Sequence, residues 1–327
     1  MRSVRRRSPL EASNRRKSIR RPLPFAVPLM LAGRLCVVTG ANTGIGRVIA
    51  TQLAEKGARV VLACRSEERA EPVALDIRRR TGAQCQFRHL DLACLASVRT
   101  FASELVRDCG DVSVLVHNAG LMAATWSLTA DGNESTYQVN TLAPWLLTQL
   151  LLPSLLASAK AGGAPGSARV VVLGSRLEKT GDLSDLTTVS DAASRFRGSP
   201  AAFNTFKSYG TSKAALSALT FEQARRLEGT GVCVTLCTPG MVNTELSRFA
   251  PAWLRLLSAP ARWLLLRTAE KGAETPVWLA SCADDPAALV GGAYFYDRTQ
   301  LQASEAARSQ HNAALLWATC EAQTLRV

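Results

Sequence analysis

The sequence predicts a single α/β domain built on a seven-stranded, mostly parallel, doubly wound sheet. Three observations predict it. Short β-branched runs alternate with longer helical stretches. The runs are apolar on both faces, as in a parallel sheet covered by helices on each side. No internal repeat or second core interrupts the pattern between residues 31 and 300. With 327 residues and 47% hydrophobic content, the chain carries enough apolar material for one large core.

Taken in order, the strands read as Leu35–Thr39, Arg59–Cys64, Cys85–Leu90, Val112–Val116, Arg169–Leu173 and Val232–Cys237, with a seventh at Gly292–Tyr296. Strand and helix alternate at a spacing that calls for right-handed crossovers. The apolar stretch Leu142–Leu156 is interrupted by Pro144 and Pro153 and reads as a buried helix. Ala159–Ala168 reads as a surface turn before the fifth strand and Ser190–Phe203 as a loop. Residues 1–30 form a basic extension, residues 31–300 the doubly wound domain, and residues 301–327 a helical tail.

The formal net charge is +13, and it is unevenly placed. Residues 1–22 hold nine Arg or Lys against Glu11 alone, a net of +8, which leaves +5 for the other 305 residues. The basic character therefore belongs to the extension, and nucleic-acid binding, which lacks a motif or aromatic platform, is not expected. The nine cysteines include no Cys-x-x-Cys pair; Cys233 and Cys237 are the closest, in an apolar run. His89, His117 and His311 are widely spaced, so no metal site is expected. No apolar run reaches the roughly 18 residues of a membrane span. Pro22–Gly33 is short and proline-rich; it fits either a targeting segment or curtailed anchor, or a disordered extension.

The first strand runs directly into "TGANTGIGRVIA", where Gly40, Gly44 and Gly46 occupy a strand-to-helix turn. Absent side chains there let backbone approach a pyrophosphate at a positive helix N-terminus. At the end of the second strand an acid would suit a ribose 2′-hydroxyl and an arginine a 2′-phosphate. Arg65 stands there, Glu67 follows it, and Arg47 follows the glycine loop, which favours NADP(H) over NAD(H). Farther on, Tyr209 and Lys213 lie four apart at a helix start, so one face carries both a phenol and an ammonium.

These residues, in this order, resemble the short-chain dehydrogenase/reductase family over nearly all of residues 31–300. The shared series is Thr39-Gly40-x-x-x-Gly44-x-Gly46, Asp91, Asn118-Ala119-Gly120, Asn140, Ser175, Tyr209-x-x-x-Lys213 and Pro239-Gly240. "TGANTGIG", "VLACRSEER" and "LTQLLLPSL" look like the retinol dehydrogenase branch, and the stretch 251–276 looks closest to one numbered dehydrogenase/reductase member. The resemblance implies a Rossmann fold in which Tyr209 is the general acid or base. Lys213 would lower its pKa and hold the nicotinamide ribose, Ser175 would orient the substrate oxygen, and Asn140 would support a water leading from Lys213 to solvent. The cofactor set it implies is Gly40, Asn42, Thr43, Gly44, Ile45, Gly46, Arg65, Asp91, Leu92, Asn118, Ala119, Gly120, Tyr209, Lys213, Pro239, Gly240, Val242 and Thr244. Asp91 would meet the adenine edge, Asn118 and Gly120 the adenine ribose, and Val242 and Thr244 the carboxamide.

Three departures border the substrate pocket: Gly174 precedes Ser175 where a second serine is usual, the Ser175–Tyr209 segment is long, and "TLAPW" follows Asn140 in place of the glycine and aromatic or histidine pattern typical of the retinol dehydrogenase branch. His117, where asparagine is more usual, reads as a satisfied strand-end residue. The expected activity is NADP(H)-dependent hydride transfer to or from a hydrophobic carbonyl or alcohol, a retinoid or another lipid aldehyde or ketone. The alternative is a catalytically weak family member that binds cofactor in a regulatory or scaffold role. The apolar stretch Trp253–Leu266, with Arg255, Arg262 and Arg267 outside it, would cover the pocket and touch a membrane peripherally. The expected setting is a cytosol-facing endoplasmic reticulum or mitochondrial membrane, or the cytoplasm, and the expected assembly a homodimer.

Overall fold

The computed structural model describes residues 31–164, 166–184, 186–242, 266–282 and 285–324. Seven strands form the expected run: β1 (Leu35–Thr39), β2 (Arg59–Cys64), β3 (Cys85–His89), β4 (Val112–His117), β5 (Ala168–Leu173), β6 (Val232–Cys237) and β7 (Tyr294–Tyr296). They pair in the order β3-β2-β1-β4-β5-β6-β7, all parallel. An eighth, β8 (Thr299–Leu301), adds antiparallel to β7 at the edge. Its turn places Asp297 and Arg298 at φ 49° and 59°, a left-handed pair more often filled by Asn-Gly, which is why the hairpin escapes a sequence reading.

Alternation along the strands sorts the core into two layers. Leu35, Val37, Val61, Val170, Val172 and Leu236 face one cluster; Cys36, Val38, Val60, Leu62, Val171 and Cys237 face the other. Helices α3 (Leu95–Cys109), α5 (Ala143–Gly162) and α7 (Thr205–Arg226) cover the first. Helices α1 (Gly44–Glu55) and α2 (Glu67–Thr81), with the helix Ala269–Ser281, cover the second. The continuous helical stretch Ser135–Gly162 has the length and apolarity of a membrane span, but 67% of its most apolar window is buried inside the protein. The C-terminal helix Gln310–Thr324 joins the first layer: Trp317 meets Trp145 edge-on at 5.4 Å, and Arg226 lies 3.9 Å over the Trp317 ring.

Two local expectations change. Ser190–Phe203 is not all loop, because α6 (Val189–Arg197) begins one residue earlier. Thr188 and Asp191 close a reciprocal capping box, and Ala192 and Phe196, one turn apart, are buried, with Phe196 stacked on Tyr137 at 4.0 Å. The turn read at Ala159–Ala168 starts later, since α5 runs to Gly162 and ends at Gly163 in the left-handed conformation.

The direction of the chain reverses on either side of β1 and β4. Their C-terminal ends therefore open a crevice, and the loops that leave β1, β4, β5 and β6 surround it.

Candidate active site

At the crevice, β1 delivers Thr39 into a turn that only glycine can make. Gly40 and Gly44 have φ of +64° and +53°, and a Cβ on Gly46 would stand 2.3 Å from Asn118 Nδ2 and 2.5 Å from the Gly40 carbonyl oxygen. Thr39 Oγ1 accepts from the amides of Asn118 (3.1 Å) and Ala119 (3.0 Å). Asn118 Nδ2 in turn donates to the carbonyls of Thr39 (2.8 Å) and Gly40 (3.2 Å). This staple joins the ends of β1 and β4. The Asn118 side-chain amide nitrogen is thereby committed to the staple.

The turn fits a pyrophosphate. Thr43 caps α1 without a side-chain hydrogen bond, and the first turn contains no acidic residue, so the amides of the positive helix end remain uncompensated by the chain. Asn42 and Thr43 are half-buried at the rim and Ile45 is buried below it. Across the crevice, Gly120 is exposed; a Cβ there would stand 3.6 Å from Asn140 Oδ1 and 3.8 Å from Lys213 Nζ.

The adenosine side is modified by one ion pair. Arg47 NH2 lies 3.0 Å from Asp76 Oδ2 on α2 in an exposed pair, and the same carboxylate oxygen is 3.8 Å from Arg80. Arg65 is exposed just past β2 and forms no ion pair among the described residues. Asp91 follows β3, where its Oδ1 accepts from the Ala93 amide at 2.9 Å, and Leu92 beside it is buried.

The reacting groups come from three elements. Tyr209 and Lys213 project from the first turns of α7, which Asn204 caps by accepting from the Lys207 amide at 2.9 Å. Both side chains are buried, and the ammonium is 5.9 Å from the phenol ring centre. Ser175 caps the 3-10 turn Arg176–Thr180 just beyond β5, its hydroxyl accepting from the Leu177 amide at 3.2 Å. Burial pushes the Tyr209 phenol up to about 12, with the Ser175 hydroxyl opposing. Burial brings the Lys213 ammonium down to about 8 while it donates to the Leu173 carbonyl at 2.9 Å. Burial thus dominates the phenol, while the ammonium is directed at the Leu173 carbonyl.

Asn140 lies in a π-helical turn, Gln138–Leu142, between the short helix α4 (Ser135–Tyr137) and α5. Its Oδ1 accepts from the Leu121 amide (2.7 Å), and its Nδ2 donates to the Leu121 carbonyl (2.8 Å) and to Ser212 Oγ (3.0 Å). Ser212 Oγ donates to the Tyr209 carbonyl at 2.8 Å, so one hydroxyl connects the Asn140 turn to the tyrosine. Sequence reasoning missed Ser212, although its place three after Tyr209 and one before Lys213 was a usable signal.

On the far wall, Pro239 and Gly240 (φ +78°) follow β6, and Val242 is buried where a Cβ on Gly272 would come within 2.9 Å of it. Thr244 and Trp253–Leu265 lie outside the described residues. Arg267, expected on an outer polar face, pairs at the surface with both oxygens of Asp297 (2.8 and 2.6 Å) and stacks on Tyr296 at 4.9 Å. His117 does not join the site: its Nε2 is bonded to Thr148 Oγ1 at 2.7 Å, and burial, with Lys213 nearby, lowers its pKa to about 3, so it stays neutral. A cavity of about 140 Å³ separates α6 from the start of α7, with Trp126, Phe196, Phe203, Asp182, Lys207 and Ser208 in its wall. Neither Tyr209 nor Ser175 lines it.

Residues 34–181 and 197–255 match the short chain dehydrogenase family. Dehydrogenase/reductase SDR family member 13 of Bos taurus is 40% identical over 88% of this chain and 72% of its own length. Human retinol dehydrogenase 13 is 36% identical over 88% and 83%, and mouse polyprenol dehydrogenase 38% over 88% and 82%. Among solved structures, the Pseudomonas aeruginosa RhlG/NADP active-site complex superimposes with a TM-score of 0.62 at 28% identity, covering 82% of this chain and 96% of that one. A protein from Mycobacterium Paratuberculosis superimposes with a TM-score of 0.68 at 31% identity, over 90% and 94%.

Proposed function

Because the chain belongs to the short-chain dehydrogenase/reductase family, whose members are oxidoreductases acting on CH–OH groups, we propose that it transfers a hydride between NADP(H) and a hydrophobic carbonyl or alcohol. Retinol and polyprenol, named in its relatives, are both apolar alcohols, and a retinoid or another lipid aldehyde or ketone is the substrate class. The observation that carries this is the convergence of Ser175, Tyr209 and Lys213 at the crevice, with the Lys213 ammonium one helical turn along and 5.9 Å from the Tyr209 ring centre.

The bound nicotinamide supplies the hydride; the chain supplies the proton and the alignment. In reduction, the Ser175 and Tyr209 hydroxyls both donate to the substrate oxygen, which fixes the carbonyl in the crevice. A phenol held at about 12 keeps its proton until the oxygen gains charge and takes it. Lys213, desolvated and near 8, restores charge balance beside the resulting tyrosinate. Asn140 holds the Leu121 backbone against Ser212 and so keeps the two crevice walls at a fixed separation. For the cofactor, the preference for NADP(H) rests on Arg65, since Arg47 is paired with Asp76.

The test is direct. Purified protein is given NADPH or NADH with retinal, a steroid ketone and aliphatic aldehydes, and nicotinamide absorbance is followed. Turnover of an apolar carbonyl with NADPH supports the proposal. Tight NADPH binding with no turnover of any of them would favour the catalytically weak, cofactor-binding alternative.

A further inference from the structure

Glu178 stands three residues after Ser175 in "SRLEKTGD", a stretch that in sequence looks like an exposed charged turn. In the structure its relative exposure is 0%. Its Oε1 and Oε2 accept from the Ser304 amide at 3.1 and 3.2 Å, and Oε2 also accepts from the Ser304 hydroxyl. Ser304 is the cap of the helix Glu305–Arg308, 126 residues further along the chain. A buried carboxylate satisfied by one distant cap residue is an expensive contact to keep unless it fixes something.

What it fixes is the turn that aims Ser175. The Ser175 carbonyl accepts from the Glu178 amide at 3.0 Å, so Ser175 and Glu178 close a single 3-10 turn, and the Ser175 hydroxyl is oriented by the Leu177 amide inside it. The two ends of this segment are already held. Gly174 donates to the Cys237 carbonyl on β6 at 2.7 Å, and Gly181 lies flush on α7, where its Cβ would stand 2.5 Å from the Gly210 carbonyl oxygen. Between these two holds, the Glu178 carboxylate anchors the turn to the C-terminal segment by hydrogen bonds, while Arg176 lies 5.8 Å over the Tyr296 ring and Thr180 Oγ1 donates to the Leu177 carbonyl at 2.8 Å.

We infer that Glu178 is a positioning residue for Ser175: through Ser304 it ties the C-terminal segment to the orientation of the substrate-aligning hydroxyl, an assignment that builds on the role of Ser175 proposed above. Tyr294 on β7, whose buried hydroxyl has no hydrogen-bond partner among the described residues, lies close enough to the Glu178 carboxylate for that charge to help hold its phenol pKa up, after burial.

Glu178→Gln keeps the size and one acceptor but turns an N–H toward the Ser304 amide. Ser304→Ala keeps the amide and removes the hydroxyl. Each is expected to lower kcat with retinal or nonanal by about ten- to a hundredfold, the scale of a small misplacement of an aligning group. NADPH affinity should stay within about twofold, because the glycine turn is untouched. Combined with Ser175→Ala, Glu178→Gln should add less than about twofold, since there is no hydroxyl left to misplace. Hydrogen exchange of the 174–182 segment should rise in Glu178→Gln, while that of β1 stays as in the parent, a readout that needs no substrate. Two results would overturn the inference alone: an equal loss of kcat in the presence and absence of the Ser175 hydroxyl, or unchanged exchange at 174–182. Full activity of Ser175→Ala itself would overturn both this inference and the role of Ser175 beneath it.

Discussion

Lys213 is a charge placed where charge is costly, so its removal should change stability in a pH-dependent way. Burial lowers its pKa from 10.5 to about 8. Between those values the unfolded chain binds a proton that the folded protein does not, so this group makes stability rise with pH across that window. The cost of the buried ammonium works out at ~3 kcal/mol at pH 7, ~2 kcal/mol at pH 9 and under ~0.5 kcal/mol at pH 10.5. Lys213→Met lacks that cost at every pH. It also loses the 2.9 Å bond to the Leu173 carbonyl, a loss of about 1 kcal/mol that does not titrate. Urea unfolding of both proteins should therefore show the variant gaining most at pH 7, with the advantage over the parent shrinking by about 2–3 kcal/mol by pH 10.5. Taking the difference cancels the buried thiols, whose effect has the opposite sign: Cys36 and Cys85, raised to about 12, and Cys64, raised to about 11, lose their contribution as pH climbs past 9. A difference that stays flat from pH 7 to 10.5 would refute a desolvated Lys213. The same variant should be inactive, because it keeps the fold and discards the group for which the cost is tolerated.

Three further outcomes are expected. Tyr209→Phe keeps the ring and should lower turnover by roughly 10²–10⁴-fold with cofactor affinity unchanged, checked by steady-state kinetics and NADPH titration. Arg65→Ala should weaken NADPH binding by about 1.5–3 kcal/mol and leave NADH binding nearly unaltered in parallel titrations; equal losses would remove Arg65 from the 2′-phosphate. Full-length protein should float with anionic liposomes, and comparison of a chain lacking residues 1–30 with one carrying Trp253→Ser and Trp263→Ser identifies the contact; binding that survives both changes would contradict an attachment through either segment.

Much of the fold was legible because it is written in local periodicity. Five strands, β1, β2, β4, β5 and β6, are buried along almost their whole length and specify a parallel sheet, and Gly40, Gly44 and Gly46 specify the turn at its first crossover. The i, i+4 spacing of Tyr209 and Lys213 was enough to put them on one face. What was not legible has short or distant causes. Helix α6 is carried by a capping box and two buried residues in nine. The π turn at Asn140 is held from outside: Gln138 Oε1 accepts from Thr129 and Asn133, its Nε2 donates to Asp131 at 2.6 Å, and Thr141 donates to the Ser212 carbonyl. No periodicity announces a turn made by partners on other segments.

The polar residues show the limit most plainly, since a donor or a charge used in one place is not free in another. Asn118 and Arg47 look in sequence like ligand-facing groups; the carbonyls of Thr39 and Gly40 take the first, and Asp76, 29 residues away, takes the second. Glu178 looks like surface and is buried by a partner 126 residues away. In each case the residue type is consistent with either fate, and only the partner decides between them. Cofactor discrimination is therefore expected to fall mainly on the exposed Arg65, with Arg47 paired to Asp76. The penalty for an error there is correspondingly sharp: a single Arg65→Ala change should erase most of the difference between NADPH and NADH, whereas Arg47→Ala should change the two affinities equally.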